Sequence, residues 1–189
     1  MVRLRGIMRM KNSDETLVAM AATGDSDAFR RLLVRHYDAI FRVGFRVLGC
    51  RADAEDLAQD ICTALPRKLA SFKGHAKFST WLHQIVINAA RDMIRRKQSI
   101  RKKAQGWGDV EILRRDEATE TQVALDWLNV AMTALPQDLR ETVALVLGEE
   151  MTHAQAAEVL DLSEGTISWR MSEVKKTLRN IAKQEEMLR

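Results

Sequence analysis

Six residues between positions 72 and 81 alternate rings with cations: Phe72, Lys73, His75, Lys77, Phe78 and Trp81. Directly downstream, Arg91 to Lys103 holds seven basic residues against one acid. Single nucleic-acid strands are held by surfaces of this kind, because cations follow the phosphate backbone while rings or pockets accept unstacked bases. A plainer reading competes for part of the set: Phe78 and Trp81 also fall on an apolar helical stripe, which assigns Trp81 to the core. The cationic end could be a solvated face, but a charge bias this strong favours a polyanion.

A second constellation lies near the C-terminus. Thr152 with Gln155 three positions later has the spacing of a capping box opening a short helix with Ala156, Ala157 and Leu160. Asp161-Leu162-Ser163 makes a tight turn, and Ser163 can cap the helix that follows. That last helix aligns Ile167, Met171, Val174, Leu178 and Ile181 on its inner side. With Ile167 inward, a 3.6-residue period sends Gly165, Ser168, Trp169, Ser172 and Lys176 outward. Two helices joined by a three-residue turn, the second longer and basic, outline a helix-turn-helix. Small residues early in the second helix allow close approach to base edges, while Arg170, Lys175, Lys176 and Arg179 can reach phosphates. The alternative is an ordinary helical hairpin with a solvated outer face; capping, turn length and charge together favour DNA.

Catalytic chemistry finds no comparable support. His36, His75, His83 and His153 are scattered, without paired-ligand spacing, a phosphate-binding loop or a nucleophile elbow. Neither a catalytic residue, a metal site, a cofactor nor a small-molecule substrate is expected. Cys50 and Cys62 stand twelve positions apart with no third ligand nearby, which fits small apolar residues in a reducing compartment. The 189 residues are 46% hydrophobic and 5% aromatic, with two prolines and nine glycines, which points to helices rather than tight β turns. The formal net charge of +4 is modest, so its distribution carries more information than its size. No apolar stretch reaches the roughly 20 residues of a membrane span, and a cytoplasmic location with no membrane insertion is expected. Arg3, Arg5, Arg9 and Lys11 mark a basic N-terminal tail, in which Met8 and Met10 are further possible initiators.

The elements that must position these residues follow from the apolar period. A helix is expected from Asp27 to Gly49 on Phe29, Leu33, Tyr37, Ile40, Phe41 and Leu48, stopped by a left-handed cap at Gly49. A second carries Ala54, Leu57, Ala58, Ile61, Leu65 and Leu69, with Asp53, Glu55 and Asp56 at its positive dipole end; Pro66 should bend or break its last turns. After a loop from Ser71 to Lys77 broken at Gly74, a third helix begins near Ser79. Gly106, Gly108 and the acids Asp109, Glu111, Asp116, Glu117 and Glu120 read as a linker. Beyond it, Ala124, Trp127, Leu128, Ala131 and Leu135 form a stripe ended by Pro136, and Leu139, Val143, Val146 and Leu147 form another ended near Gly148. The fold class is therefore all-α: two small helical domains joined by a flexible linker, the second a four-helix domain containing the helix-turn-helix. The expected boundaries are 1–24 for the tail and lead-in, 25–100 for the first domain, 101–121 for the linker and 122–189 for the second domain.

The stretch DAEDLAQDICTALPRKLASFKGHAKFSTWLHQIVINAARDMIRRK, Asp53 to Lys97, resembles the core domain of extracytoplasmic-function (group IV) RNA polymerase sigma factors. LPQDLRETVALVLGEEMTHAQAAEVLDLSEGTISWRMSEVKKTLR, Leu135 to Arg179, is similar to that family's second domain. The resemblance implies promoter-specific transcription initiation with core RNA polymerase, through its β′ clamp helices and β flap, and restraint by an anti-sigma factor. It implies polymerase binding by Asp53, Asp56, Leu57, Gln59 and Asp60. Contacts to the minus-ten DNA element fall to Lys73, Gly74, His75, Lys77, Asn88, Arg91, Asp92, Arg95 and Arg96. Those to the minus-thirty-five element fall to Thr166, Ser168, Trp169, Arg170, Ser172, Glu173 and Lys176. The acidic linker would thread toward the polymerase active-centre cleft. Two departures stand out: Leu65-Pro66 where an aromatic residue is usual, implying a shorter docking helix, and Ser168 and Glu173 at positions that are often basic. Competing classes are a DNA-binding regulator that never joins polymerase and a sigma-like protein that only sequesters partners.

Overall fold

The computed structural model describes residues 13–104 and 131–187, and every regular element among them is helical. The basic tail, the acidic run from Asp109 to Glu120 and the stripe residues Ala124, Trp127 and Leu128 lie outside the described residues.

The first helix, α1 (Asp14–Ala22), does not follow from the apolar period. Its N-cap Ser13 accepts a hydrogen bond from the Thr16 amide, and Asp14 and Glu15 occupy its first turn. Leu17 and Val18 are buried, and α1 packs on α2 (Ser26–Leu48). Asp25 caps α2 by accepting from the Asp27 and Ala28 amides. Gly49 ends it in the left-handed conformation at φ 71°, as the apolar pattern requires. Helix α3 (Arg51–Leu69) packs closely on α2 at Gly44, where an added Cβ would stand 3.0 Å from Leu57 Cδ2.

Pro66 neither ends nor shortens α3, contrary to expectation; the helix continues to Leu69. Proline forfeits one backbone hydrogen bond, but Pro66 itself is exposed while Leu65 and Leu69 on either side are buried. Their burial, roughly 2 kcal/mol each, holds the last turn helical. The chain re-enters helix at Phe78, and α4 (Phe78–Ala104) runs past position 100 into the segment assigned to the linker.

Residues 131–134 are helical and end at Pro136, with Ala131 and Leu135 buried. Helix α5 (Gln137–Val146) buries five consecutive residues, Glu141 to Leu145, so it is surrounded rather than amphipathic. Leu147 leaves the expected stripe: it is 63% exposed, because α5 stops at Val146 and the chain turns at Leu147 and Gly148. Helix α6 (His153–Leu160) carries the capping box reciprocally, with Gln155 N–H donating to Thr152 Oγ1 and Thr152 N–H to Gln155 Oε1. Replacing Thr152 with alanine should lower stability by about 1 kcal/mol, read as a shift of the urea midpoint with unchanged slope. Asp161 takes the left-handed conformation at the turn, and Ser163 caps α7 (Glu164–Met187) by accepting from the Thr166 amide. Buried apolar residues from α1 to α4 join Ala144, Leu145, Ala156, Ala157, Val159, Leu160 and Ile167 of α5 to α7 in one core, while Met132, Leu135, Leu139, Val143 and Val174 form a second, smaller one.

Candidate nucleic-acid interfaces

The first interface is the loop between α3 and α4 together with the exposed side of α4. Four aromatic rings support the loop. Phe72 meets Phe78 edge-on at 5.8 Å between centroids and Trp81 at 5.2 Å, and Phe78 meets Trp81 at 5.6 Å and His36 at 5.1 Å. Phe78 is 1% exposed, and Phe72 and Trp81 are half-buried. The rings are therefore the floor of the loop rather than a stacking platform. Above them Lys73, Gly74, His75 and Lys77 are all exposed. Gly74 has φ 72° and open space around its missing Cβ, so glycine is needed there for backbone conformation alone.

Along α4, Asn88, Asp92, Arg95, Arg96, Lys97, Lys102 and Lys103 are exposed. Arg95 pairs with Asp92 one turn earlier, and Lys97 Nζ reaches Asp53 Oδ1 at 2.5 Å. A groove of about 300 Å³ between α3 and α4 has Asp60 on one rim and Asn88, Asp92 and Arg96 on the other. On α3, Asp56, Gln59 and Asp60 face solvent. Leu57 is buried among core residues, so it shapes the helix without reaching a partner's surface.

The second interface is the outer side of α7. Gly165, Ser168, Trp169, Ser172 and Lys176 are all exposed, as the period requires, and Trp169 stands 59% open. Thr166 is half-buried, its hydroxyl 2.8 Å from that of Ser163. Ser168 Oγ lies 2.9 Å from His153 Nδ1 on α6, a neighbour that periodicity alone does not point to. Glu173 is answered by Lys176 at 3.8 Å, which reduces its repulsion toward a phosphate. Arg170 turns inward instead of outward. Its Nη1 donates to the Asp138 carbonyl at 3.3 Å and its Nε lies 3.5 Å from the Asp138 carboxylate.

Sequence reasoning missed the seam that joins the two halves. Helix α2 packs against α5, and α4 against α6. Arg91 of α4 forms a two-pronged pair with Glu141 of α5, Nε to Oε1 at 2.9 Å and Nη2 to Oε2 at 2.6 Å. Glu141 is 2% exposed and also accepts from Gln137 Nε2 at 3.0 Å. Glu149 accepts twice from Arg42, at 3.1 and 3.0 Å, and once from Arg46 at 3.0 Å. Forked arginine–carboxylate pairs are among the strongest polar contacts. His83 Nε2 lies 3.8 Å from Glu149 Oε2, too far for a hydrogen bond.

Burial alone would push the Glu149 carboxyl up; His83 and Arg42 outweigh it and hold the group at about 2, below its ordinary 4.5. A depressed carboxyl contributes stability that is complete above its ordinary value and is lost as pH falls through its folded one. The stability gap between wild type and Glu149→Gln should therefore be full near neutrality and close as pH falls from about 4.5 toward 2, which melting curves across that range would record. A gap independent of pH would contradict the assignment.

No helix among the described residues is long and apolar enough to cross a membrane. The family model for sigma-70 region 2 matches residues 32–100, and that for sigma-70 region 4 matches residues 131–180. The chain is 30% identical to the ECF RNA polymerase sigma factor SigM of Mycobacterium tuberculosis, over 92% of this chain and 86% of that one. It is 32% identical to the RNA polymerase sigma factor CnrH of Cupriavidus metallidurans, over 90% of this chain and 95% of the relative. A solved structure of CnrH in complex with the cytosolic domain of CnrY superposes with a TM-score of 0.71, at 25% identity, covering 90% of this chain and 97% of that one. Both halves of the molecule, in order, thus match one family of transcription initiation factors that are not enzymes, and the chain belongs to the extracytoplasmic-function sigma factors of RNA polymerase.

Proposed function

We propose that this sigma factor divides promoter recognition between its two interfaces. Lys73, Gly74, His75 and Lys77 capture an extruded base of the minus-ten element, and Asn88, Arg91, Asp92, Arg95 and Arg96 follow the opened strand. Extruding a base costs a few kcal/mol, so the pocket and its backbone cations must already be in place; the aromatic floor under the loop supplies that rigidity. Thr166, Ser168, Trp169, Ser172, Glu173 and Lys176 face the minus-thirty-five duplex, where Glu173 can accept from a cytosine amino group. Arg170 joins them only on leaving Asp138. Asp56, Gln59 and Asp60 dock on the polymerase β′ clamp helices, with Asp53 available once Lys97 releases it, and the second domain meets the β flap. The protein works in the cytoplasm, where polymerase is. An anti-sigma partner restrains it, in the way that CnrH was solved with the cytosolic domain of CnrY.

The observation that carries this reading is the run of exposed cations on the later turns of α4, the helix that follows a loop whose own cations stand over Phe72, Phe78 and Trp81. The test is photocrosslinking from single positions in a complex with core polymerase and promoter DNA. A crosslinker at position 73 or 96 should reach the opened non-template strand, and one at position 172 the upstream duplex. Crosslinks from position 96 to duplex alone would contradict the division.

A further inference from the structure

On a helix, serine and threonine can turn their hydroxyls back on their own backbone. Thr63 does so toward the Gln59 carbonyl and Thr142 toward that of Asp138, at 2.9 Å each. Ser168 reaches another helix instead: its Oγ lies 2.9 Å from Nδ1 of His153, on the other arm of the helix-turn-helix. Both ends of this contact are held by local structure. His153 is the first residue of α6, set inside the capping box of Thr152 and Gln155. Ser168 stands in the second turn of α7, just beyond the cap that Ser163 provides. Ala156, Leu160 and Ile167 are buried, and the two helices pack directly on each other. Ser168 is exposed and His153 half-buried, so the pair lies on the outer face rather than in the core.

A free serine hydroxyl serves any base edge in the major groove, because it has a hydrogen to give and lone pairs to offer. Held by His153, it loses that freedom. In a neutral imidazole one nitrogen carries the proton and the other accepts. Beside a duplex whose phosphates only accept, the favoured ring keeps its proton on Nε2 and leaves Nδ1 to accept. The Ser168 hydrogen is then spent on Nδ1, and only lone pairs are left for a base.

We propose that His153 is a positioning residue for promoter recognition: by taking the Ser168 hydrogen it makes Ser168 an acceptor. Ser168 then selects adenine N6 or cytosine N4, the amino groups of the major groove, against the keto oxygens of guanine and thymine. The proposal rests on the reading that Ser168 faces a base of the minus-thirty-five duplex. Base choice at that position is set by both helices of the motif, and His153 touches no base to set it.

The test uses the full chain with core polymerase on a barcoded promoter library whose minus-thirty-five element is randomised. Wild type should favour amino over keto bases by about fivefold at one position, roughly what a neutral hydrogen bond supplies. Ser168→Ala should flatten that position, and His153→Ala should flatten the same one while the other positions keep their preferences. His153→Asn, whose amide can stand where Nδ1 stood, should restore it. Unsubstituted purine in place of the adenine removes only the amino group; it should cost wild type the same factor and His153→Ala nothing. Helical circular dichroism checks that each variant is folded. A His153→Ala variant that weakens all positions alike, or keeps the Ser168 position sharp, overturns the proposal and leaves the reading of Ser168 standing. So does a His153→Asn variant that restores nothing, or a wild type indifferent to purine in place of adenine. If Ser168→Ala changes no position, that reading fails and the proposal with it.

Discussion

Replacing Phe78 with alanine should destabilise the protein by about 3–5 kcal/mol and abolish promoter opening at temperatures where the wild type is fully active. The side chain is fully buried and touches Phe72, Trp81 and His36, three of the groups that fix the loop above it. Removing it leaves a cavity bordered by half-buried rings, and a domain of this size has only about 5–15 kcal/mol of stability in total. Because both halves share one core, the loss should appear in a single urea transition rather than in the first half alone. Phe78→Leu keeps most of the volume and should cost less than about 1.5 kcal/mol. A midpoint for Phe78→Ala within about 1 kcal/mol of wild type would show that the ring cluster does not hold the loop.

The second large effect concerns strand holding and leaves folding alone. Arg95 and Arg96 are exposed on α4, and Arg95 is engaged by Asp92 on its own helix. Surface pairs of that kind contribute about 0–1 kcal/mol, so replacing both arginines with alanine should shift the urea midpoint very little. Transcription from a supercoiled promoter template should nevertheless fall by more than about tenfold, because a hydrogen bond to a charged group contributes roughly 1.5–3 kcal/mol. The dependence of complex formation on log salt should flatten by about 1.4, since each phosphate neutralised on a single strand accounts for about 0.7. An unchanged salt slope would remove these two residues from the DNA interface even if activity fell.

Local structure was legible wherever a short-range rule decides it. The αL stop at Gly49, the box of Thr152 and Gln155, the Ser163 cap and the outward set on α7 each depend on residues within a few positions of one another. Helix α1 escaped because its two buried residues, Leu17 and Val18, are adjacent and build no stripe. Pro66 misled because the rule for proline concerns one hydrogen bond, while the outcome was set by the burial of Leu65 and Leu69 against other helices.

The candidate site divides along the same line. The exposed cations of α4 and the open face of α7 follow from charge runs and helical phase. The contacts that engage Arg91, Arg170 and Asp53 do not, because Glu141, Asp138 and Lys97 lie 50, 32 and 44 positions away from them. An acid within an apolar helix such as α5 reads as solvent-facing until the partner that buries it is known. Periodicity tells which side of a helix is inner, and says nothing about which distant charge will meet it there.

Reconstitution with purified core polymerase, followed by sequencing of transcript starts on genomic DNA, tests the central claim most directly. Starts should cluster downstream of one shared pair of elements, and they should disappear with Arg95→Ala and Arg96→Ala together. Random starts, or none where another sigma factor of the family succeeds in parallel, would contradict the account.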